Sequence, residues 1–157
     1  MALWKLTAPE KFTHERIQPS NWDGVTAGGA TGSSLLEIRD FHLSPYRVYA
    51  PRRINSRNPS ASFARRIIQR DEVMFIHGLL VTRPERTVSD LVADDEDLSL
   101  IADALRDASH KFPEFNYAKL LGFLEEFFGE ERAQEIYQQL LFAAWIAPIR
   151  PRSYTMA

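Results

Sequence analysis

Cysteine is absent from the 157 residues of this chain, which excludes disulfides, thiolate catalysis and cysteine-ligated metals. Histidine is sparse. His14, His42, His77 and His110 fall in unrelated segments, without the His-x-x-x-His spacing that puts two ligands on one helical face. Glu10 and His14 are four apart and could touch one ion, but the pair is too small to hold it. Long apolar runs are missing as well. None approaches the roughly eighteen residues of a membrane span, and no basic N-terminal region leads into an apolar one. The sequence therefore predicts a cytoplasmic protein with no membrane partner. Catalytic patterns are equally scarce. No serine, threonine or aspartate comes with the base and orienting partner that nucleophilic catalysis demands, and no Asp…Glu-x-Lys arrangement points to a nuclease. The run Gly28-Gly29-Ala30-Thr31-Gly32-Ser33-Ser34 resembles a phosphate cradle but lacks the lysine of a Walker-type loop, so it reads as a flexible loop entering a helix. The expectation is a binding protein and not an enzyme, with no cofactor and no metal.

The composition that remains is that of an ordinary globular chain, 45% hydrophobic and 25% charged, in a length that one core can serve. No repeat, low-complexity tract or long linker divides it, so residues 1–157 read as a single domain. Leu3 to about Ile17 predicts one or two short helices broken near Pro9, and residues 18–32 are turn-rich with a short strand around Val25. Ser33 or Ser34 can cap a helix running to about His42. From Pro45 to Ala50, Tyr46, Val48 and Ala50 alternate with Arg47 and Tyr49, a strand period. Phe63 to Gln69 is a second strand, and Val73 to Thr82 folds back around Gly78 as a hairpin. Beyond it the period is helical. Asn116 caps a helix ended by Gly129, and Glu130 starts another reaching about Ile146 before Pro148. Tyr117, Leu120, Leu121, Leu124, Phe127 and Phe128 form one apolar stripe; Ile136, Tyr137, Leu140, Leu141, Ala144 and Trp145 form another. Together they predict a helical hairpin over 116–146 packed on the sheet. Phe123 and Phe142 fall off these stripes and suit either a partner or a second layer of core. The fold class expected is α+β: a small, mostly antiparallel sheet flanked by helices, with a helical C-terminal half.

Charge is segregated. Residues 41–70 hold seven arginines (Arg47, Arg52, Arg53, Arg57, Arg65, Arg66 and Arg70) with no lysine and no acid. The other residues carry the remaining 12 basic and all 21 acidic side chains, or −9, most densely at Asp94-Asp95-Glu96-Asp97. Arginine pairs bidentately with carboxylate and phosphate, so the cluster points to a surface for an acidic partner, DNA or RNA. Solvated charge protecting a sheet edge accounts for it too. Alternation along a strand puts Arg65 and Arg66 on opposite faces and Arg66 with Arg70 on one. Arg52, Arg53 and Arg57 lie in a connection and can join either set. No recognition helix or aromatic–basic interleaving accompanies them.

The segment 77–110, HGLLVTRPERTVSDLVADDEDLSLIADALRDASH, is the densest in signals. Thr82 precedes Arg83-Pro84-Glu85, the spacing of a capping box, with Pro84 suited to a first helical turn. Val88, Leu91 and Val92 recur on one helical face. Arg86 and Asp90 can pair four apart on that helix, and Thr87 or Asp90 can bond to the neighbouring hairpin, all roles in docking a helix on a sheet. The stretches GLLVTRPERTVSDLVAD and DLSLIADALRDA resemble the core of the AbiEi-type antitoxins of type IV toxin–antitoxin (abortive-infection) systems. The resemblance covers about residues 2–110 and is most specific over 78–108. Val25, Ser34 and Leu35-Leu36 match the family's short strand and small-residue helix, and Tyr49 to Arg53 its basic strand end. SSLLEIRDFHL departs from the pattern usual in the family. The chain starts after the position where the family carries a winged helix-turn-helix. The resemblance implies a non-catalytic antitoxin or transcriptional regulator acting in phage defence against a nucleotidyltransferase-like toxin. A nonspecific nucleic-acid-binding domain using the 47–70 arginine strip is the alternative.

Overall fold

In a computed structural model of the protein, residues 22–42, 45–55, 57–76 and 78–146 are described. The helices expected before Ile17, the Glu10–His14 pair and His77 lie outside them. The described fold is α+β, with five strands and five helices. Along the chain these are β1 (Thr26–Ala27), α1 (Gly29–Leu35), β2 (Tyr46–Ala50), β3 (Ala61–Arg65), a 3₁₀ turn (Arg70–Glu72), β4 (Val73–Ile76), β5 (Leu79–Thr82), α2 (Pro84–Ala93), α3 (Leu98–Lys111), α4 (Tyr117–Phe128) and α5 (Glu130–Ala143).

The sheet order is β3-β2-β1-β5-β4. The sequence suggests mostly antiparallel pairing, but the sheet is mixed. β1–β2 and β4–β5 are antiparallel, whereas β2–β3 and β1–β5 are parallel. The centre of the sheet is its shortest strand. Thr26 and Ala27 are fully buried, and the Thr26 hydroxyl donates to the Leu80 carbonyl at 3.0 Å, adding a side-chain rung to a brief ladder. The expected hairpin forms around Gly78, whose φ of +81° suits a residue without Cβ.

α1 differs most from its sequence reading. The glycine run is itself the helix, which spans Gly29–Leu35 and buries Gly29 through Ser33, where the sequence suggests a cap at Ser33 or Ser34 and a helix to His42. Small residues are required because the backbone comes so close to its neighbours. A Cβ at Gly28 would overlap the Tyr49 ring, and one at Gly32 would meet Thr82 and Thr87 at 3.4 Å. Ser33 is not a cap; its hydroxyl donates to the Arg39 carbonyl at 2.5 Å.

The start of α2 also corrects an expectation. Pro84 occupies the first turn, but the N-cap is Arg83 and no capping box forms. Thr87 Oγ1 instead donates to the Thr82 carbonyl at 2.9 Å and lies 2.7 Å from Thr82 Oγ1, tying α2 to β5. The Glu85 carboxylate accepts from the Asn116 amide at 2.7 Å, tying α2 to the start of α4. Every residue from Pro84 to Leu91 is buried, so α2 is a central helix and not an amphipathic surface one. Asp97 caps α3, Asn116 caps α4, and Gly129 (φ +84°) separates α4 from α5.

Among the described residues, two clusters make the core. One joins the helices through Val88, Leu91, Leu105, Leu120, Leu124 and Leu140, reaching the sheet at Val81. The other fills the sheet with Val25, Val48, Ala50, Ile68, Val73 and Leu80, against which Trp22 and Ile54 pack. Trp145 departs from its expected place in the α5 stripe. The helix ends at Ala143, Trp145 takes φ +60°, and its side chain is 85% exposed.

Candidate functional site

The structure divides the seven arginines by their surroundings. In β2, Arg47 and Tyr49 share one face of the strand and Tyr46, Val48 and Ala50 the other. Arg47 Nε and Nη2 donate to the Asp94 carboxylate at 3.1 and 2.9 Å, a bidentate fork, and Nη1 donates to Ser62 at 2.8 Å. Tyr49 Oη donates to the same carboxylate at 2.5 Å. Arg66 follows the end of β3, its amide bonded to the Ala50 carbonyl at 2.8 Å. Its guanidinium bridges Asp90 at 3.0 Å and Asp94 at 2.6 Å. Arg86 continues the chain, with Nε to Asp90 at 3.1 Å and Nη1 to Glu72 at 3.0 Å.

The result is an alternating series, Glu72–Arg86–Asp90–Arg66–Asp94–Arg47, of three acids and three arginines. It runs from the 3₁₀ turn through α2 to β2, and Asp90 at its centre is fully excluded from solvent. Aromatic rings close over it. The Arg66 guanidinium lies 4.5 Å from the Tyr49 ring centroid and 5.2 Å from that of Phe127. Arg86 lies 5.2 Å from Phe123 and 5.1 Å from Phe127. Phe123 thus finds its place against a buried guanidinium; Phe142 stays 88% exposed.

Burial and charge set opposed protonation behaviour inside the series. Burial pushes the Asp90 carboxyl up to about 6, against the pull of Arg86 and Arg66. Burial acts on Asp94 in the same sense, but the hydrogen bonds from Arg47 and Tyr49 outweigh it and hold that carboxyl below the usual range. Tyr49 is raised well above an ordinary phenol, first by burial and then by the two aspartates. Each carboxylate is met by guanidinium groups, so the series holds elements together and presents no unengaged base.

The remaining arginines lie elsewhere. Arg52, Arg53, Arg57 and Arg65 are exposed, and no described acid forms an ion pair with any of them. Arg65 Nε donates to the Pro51 carbonyl at 3.2 Å, which keeps Arg65 beside Arg52 and Arg53 where β2 and β3 both end. Arg57 does not join them. β2 and β3 are parallel, so the connection returns to the start of β3, and Arg57 stands next to Asn58, whose carbonyl accepts from the Ala61 amide. The length of the five-residue strand, roughly 13 Å between its end residues, separates the two positions. Arg70 opens the 3₁₀ turn. β3 ends at Arg65 and not at Gln69, so the strand alternation expected to pair Arg66 with Arg70 does not extend that far.

The acidic run is dispersed in the same way. Asp94 belongs to the buried series, Glu96 bonds to His42 at 3.0 Å, and Asp97 caps α3. Among the described residues, no group of three or more histidines, aspartates and glutamates is arranged to hold a metal ion, and no helix is long and apolar enough to cross a membrane. The partners of Arg47 and Arg66 had one sequence signal. Arg86, Asp90 and Asp94 are spaced four apart, a charged stripe along α2 and its C-cap. Comparison with protein-family models and with curated proteins finds no match for this chain.

Proposed function

We propose that this chain is a non-catalytic antitoxin or transcriptional-regulator module of a type IV toxin–antitoxin system, acting in the cytoplasm in phage defence. In this reading it counteracts a nucleotidyltransferase-like toxin and offers Arg52, Arg53 and Arg65 to an acidic partner or to nucleic acid. The observation that carries the binding half is the gathering of three exposed arginines at the common end of β2 and β3, with no described acid paired to them. Support for the family half is the AbiEi-like segment 78–108. Within that segment, Thr82, Thr87 and Asp90 fasten β5, α2 and the strand ends together.

Two measurements test the two halves separately. Co-expression of this chain with the product of the neighbouring reading frame should restore growth that the product alone arrests; continued arrest removes the antitoxin reading. Anisotropy titration of labelled duplex DNA and of single-stranded RNA, over a range of salt, tests the surface. Replacing Arg52, Arg53 and Arg65 together by alanine should weaken association and reduce the salt slope by about three, at roughly one unit for each phosphate no longer neutralised. If nucleic acid binds through these residues but growth is not restored, the nonspecific nucleic-acid-binding reading takes over.

A further inference from the structure

A second feature stands apart from the arginine edge: a cleft of about 370 Å3 between the 3₁₀ turn, the start of α2 and the outer side of α4. Arg86 reaches it from within the fold. The residue is only 3% exposed, its Nε and Nη1 are taken by Asp90 and Glu72, and Nη2 has no hydrogen-bond partner among the described residues. Arg86 lines the cleft with the small part of it that is exposed. A guanidinium nitrogen at the wall of a cleft with no protein acceptor is free to donate to a ligand.

Gly122 is the second observation. It stands in the middle of α4, where glycine is the poorest helix former after proline. No packing demands it, since a Cβ built there meets nothing within 4 Å. What Gly122 does is line this cleft and leave it room. Next to it Phe123, whose ring stacks on Arg86, supplies a flat apolar wall.

The charges around the cleft define what fits. Arg83, Arg86 and Lys119 face Asp71, Glu72, Glu85 and Glu126, a balance of −1 that offers no attraction to a polyanion. Glu72 and Glu85 are already engaged, by Arg86 and by the Asn116 amide. One anionic group can therefore be accepted at Arg86 Nη2, with Lys119 at the rim for its second oxygen, while Asp71 and Glu126 repel additional negative charge.

We propose that this cleft binds a small monocarboxylate with a flat apolar body, its carboxylate on Arg86 and Lys119 and its body against Phe123. Benzoate is the probe, inorganic phosphate the contrast, and amide chemical-shift changes along α4 the readout on the whole chain. Arg86 itself is left in place because it belongs to the buried ion series. Benzoate should saturate shifts around Gly122 and Phe123, and phosphate should not. Lys119→Ala should weaken benzoate about two- to fivefold, the range of a partly exposed ion pair. Gly122→Ala should raise the thermal midpoint, because the fold tolerates a side chain there, and weaken benzoate, because the methyl group takes room the glycine leaves. Gly122→Phe should fill the cleft and abolish the saturable shifts. Absence of saturable benzoate shifts in the wild type overturns the proposal, as does equal benzoate binding by Gly122→Phe. Phosphate binding as tight as benzoate overturns the assignment to a monocarboxylate.

Discussion

Arg66 touches two carboxylates and two aromatic rings, and its loss would leave Asp90 and Asp94 short of a counter-charge in a site closed to solvent. Breaking a buried pair from one side costs about 3–5 kcal/mol, a large part of the roughly 5–15 kcal/mol that holds a domain folded. Arg66→Ala should lower the denaturation free energy by about that amount, while Arg52→Ala at the exposed edge should change it by less than about 0.5 kcal/mol. Urea titration of the two variants reads the difference; equal effects would mean that Arg66 is not a core residue. Asp90 makes a second residue-scale prediction. Its folded pKa of about 6 stands above the unfolded 3.8, so between these values the folded state holds the extra proton. The contribution of Asp90 to stability is therefore full below about 4 and declines as pH rises through about 6. Asp94, held below the usual range, acts oppositely, and its contribution disappears as pH falls. Carbon-detected titration of the two carboxyls should place the Asp90 midpoint near 6 and the Asp94 midpoint lowest; an Asp90 midpoint under 4 would show that its arginines dominate over burial.

Bonds between elements explain what could be read from the sequence and what could not. Threonine hydroxyls, for example, lock β5 to α2. Thr87→Val keeps the shape but removes the donor to the Thr82 carbonyl and the partner of the Thr82 hydroxyl, so it should cost about 1–3 kcal/mol in denaturant titration. A Thr87→Val protein as stable as wild type would reduce these bonds to incidental neighbours. β2, the β4–β5 hairpin and the α4–α5 pair were legible because their signals are local: alternation, a turn glycine, an asparagine cap, a glycine stop. α1 was illegible because its glycines serve neighbours distant in sequence, Tyr49, Thr82 and Thr87, and without those neighbours a glycine run reads as loop. β1 is two residues long and has no period to detect. The parallel pairing of β2 with β3 hid behind a short irregular crossover, where parallel strands more often need a helix. In the site, the arginines were visible and their burial was not. The acids that claim Arg47 and Arg66 lie 24 to 47 residues further along the chain.

At the scale of the whole molecule, a basic block of seven arginines facing a remainder of −9 suggests strong sensitivity to salt, and the structure divides that sensitivity in two. Arg47 and Arg66 meet Asp90 and Asp94 in a series whose side chains are 0–22% exposed, where mobile ions cannot enter between partners. Screening acts through solvent, over a Debye length of about 10 Å at 0.1 M and about 3 Å at 1 M. It therefore reaches the exposed arginines fully and the buried series hardly at all. Raising sodium chloride from about 0.1 to about 1 M should leave the urea midpoint nearly unchanged, apart from small decreases at exposed pairs such as Arg132–Glu135 and Arg39–Asp107. The same change should sharply weaken any association made through Arg52, Arg53 and Arg65, since each phosphate engaged adds about one unit to the logarithmic slope. Measuring both on one preparation gives the discriminating result. A stability that falls in step with binding would mean that the ion series is open to solvent, and that one set of arginines serves both fold and partner.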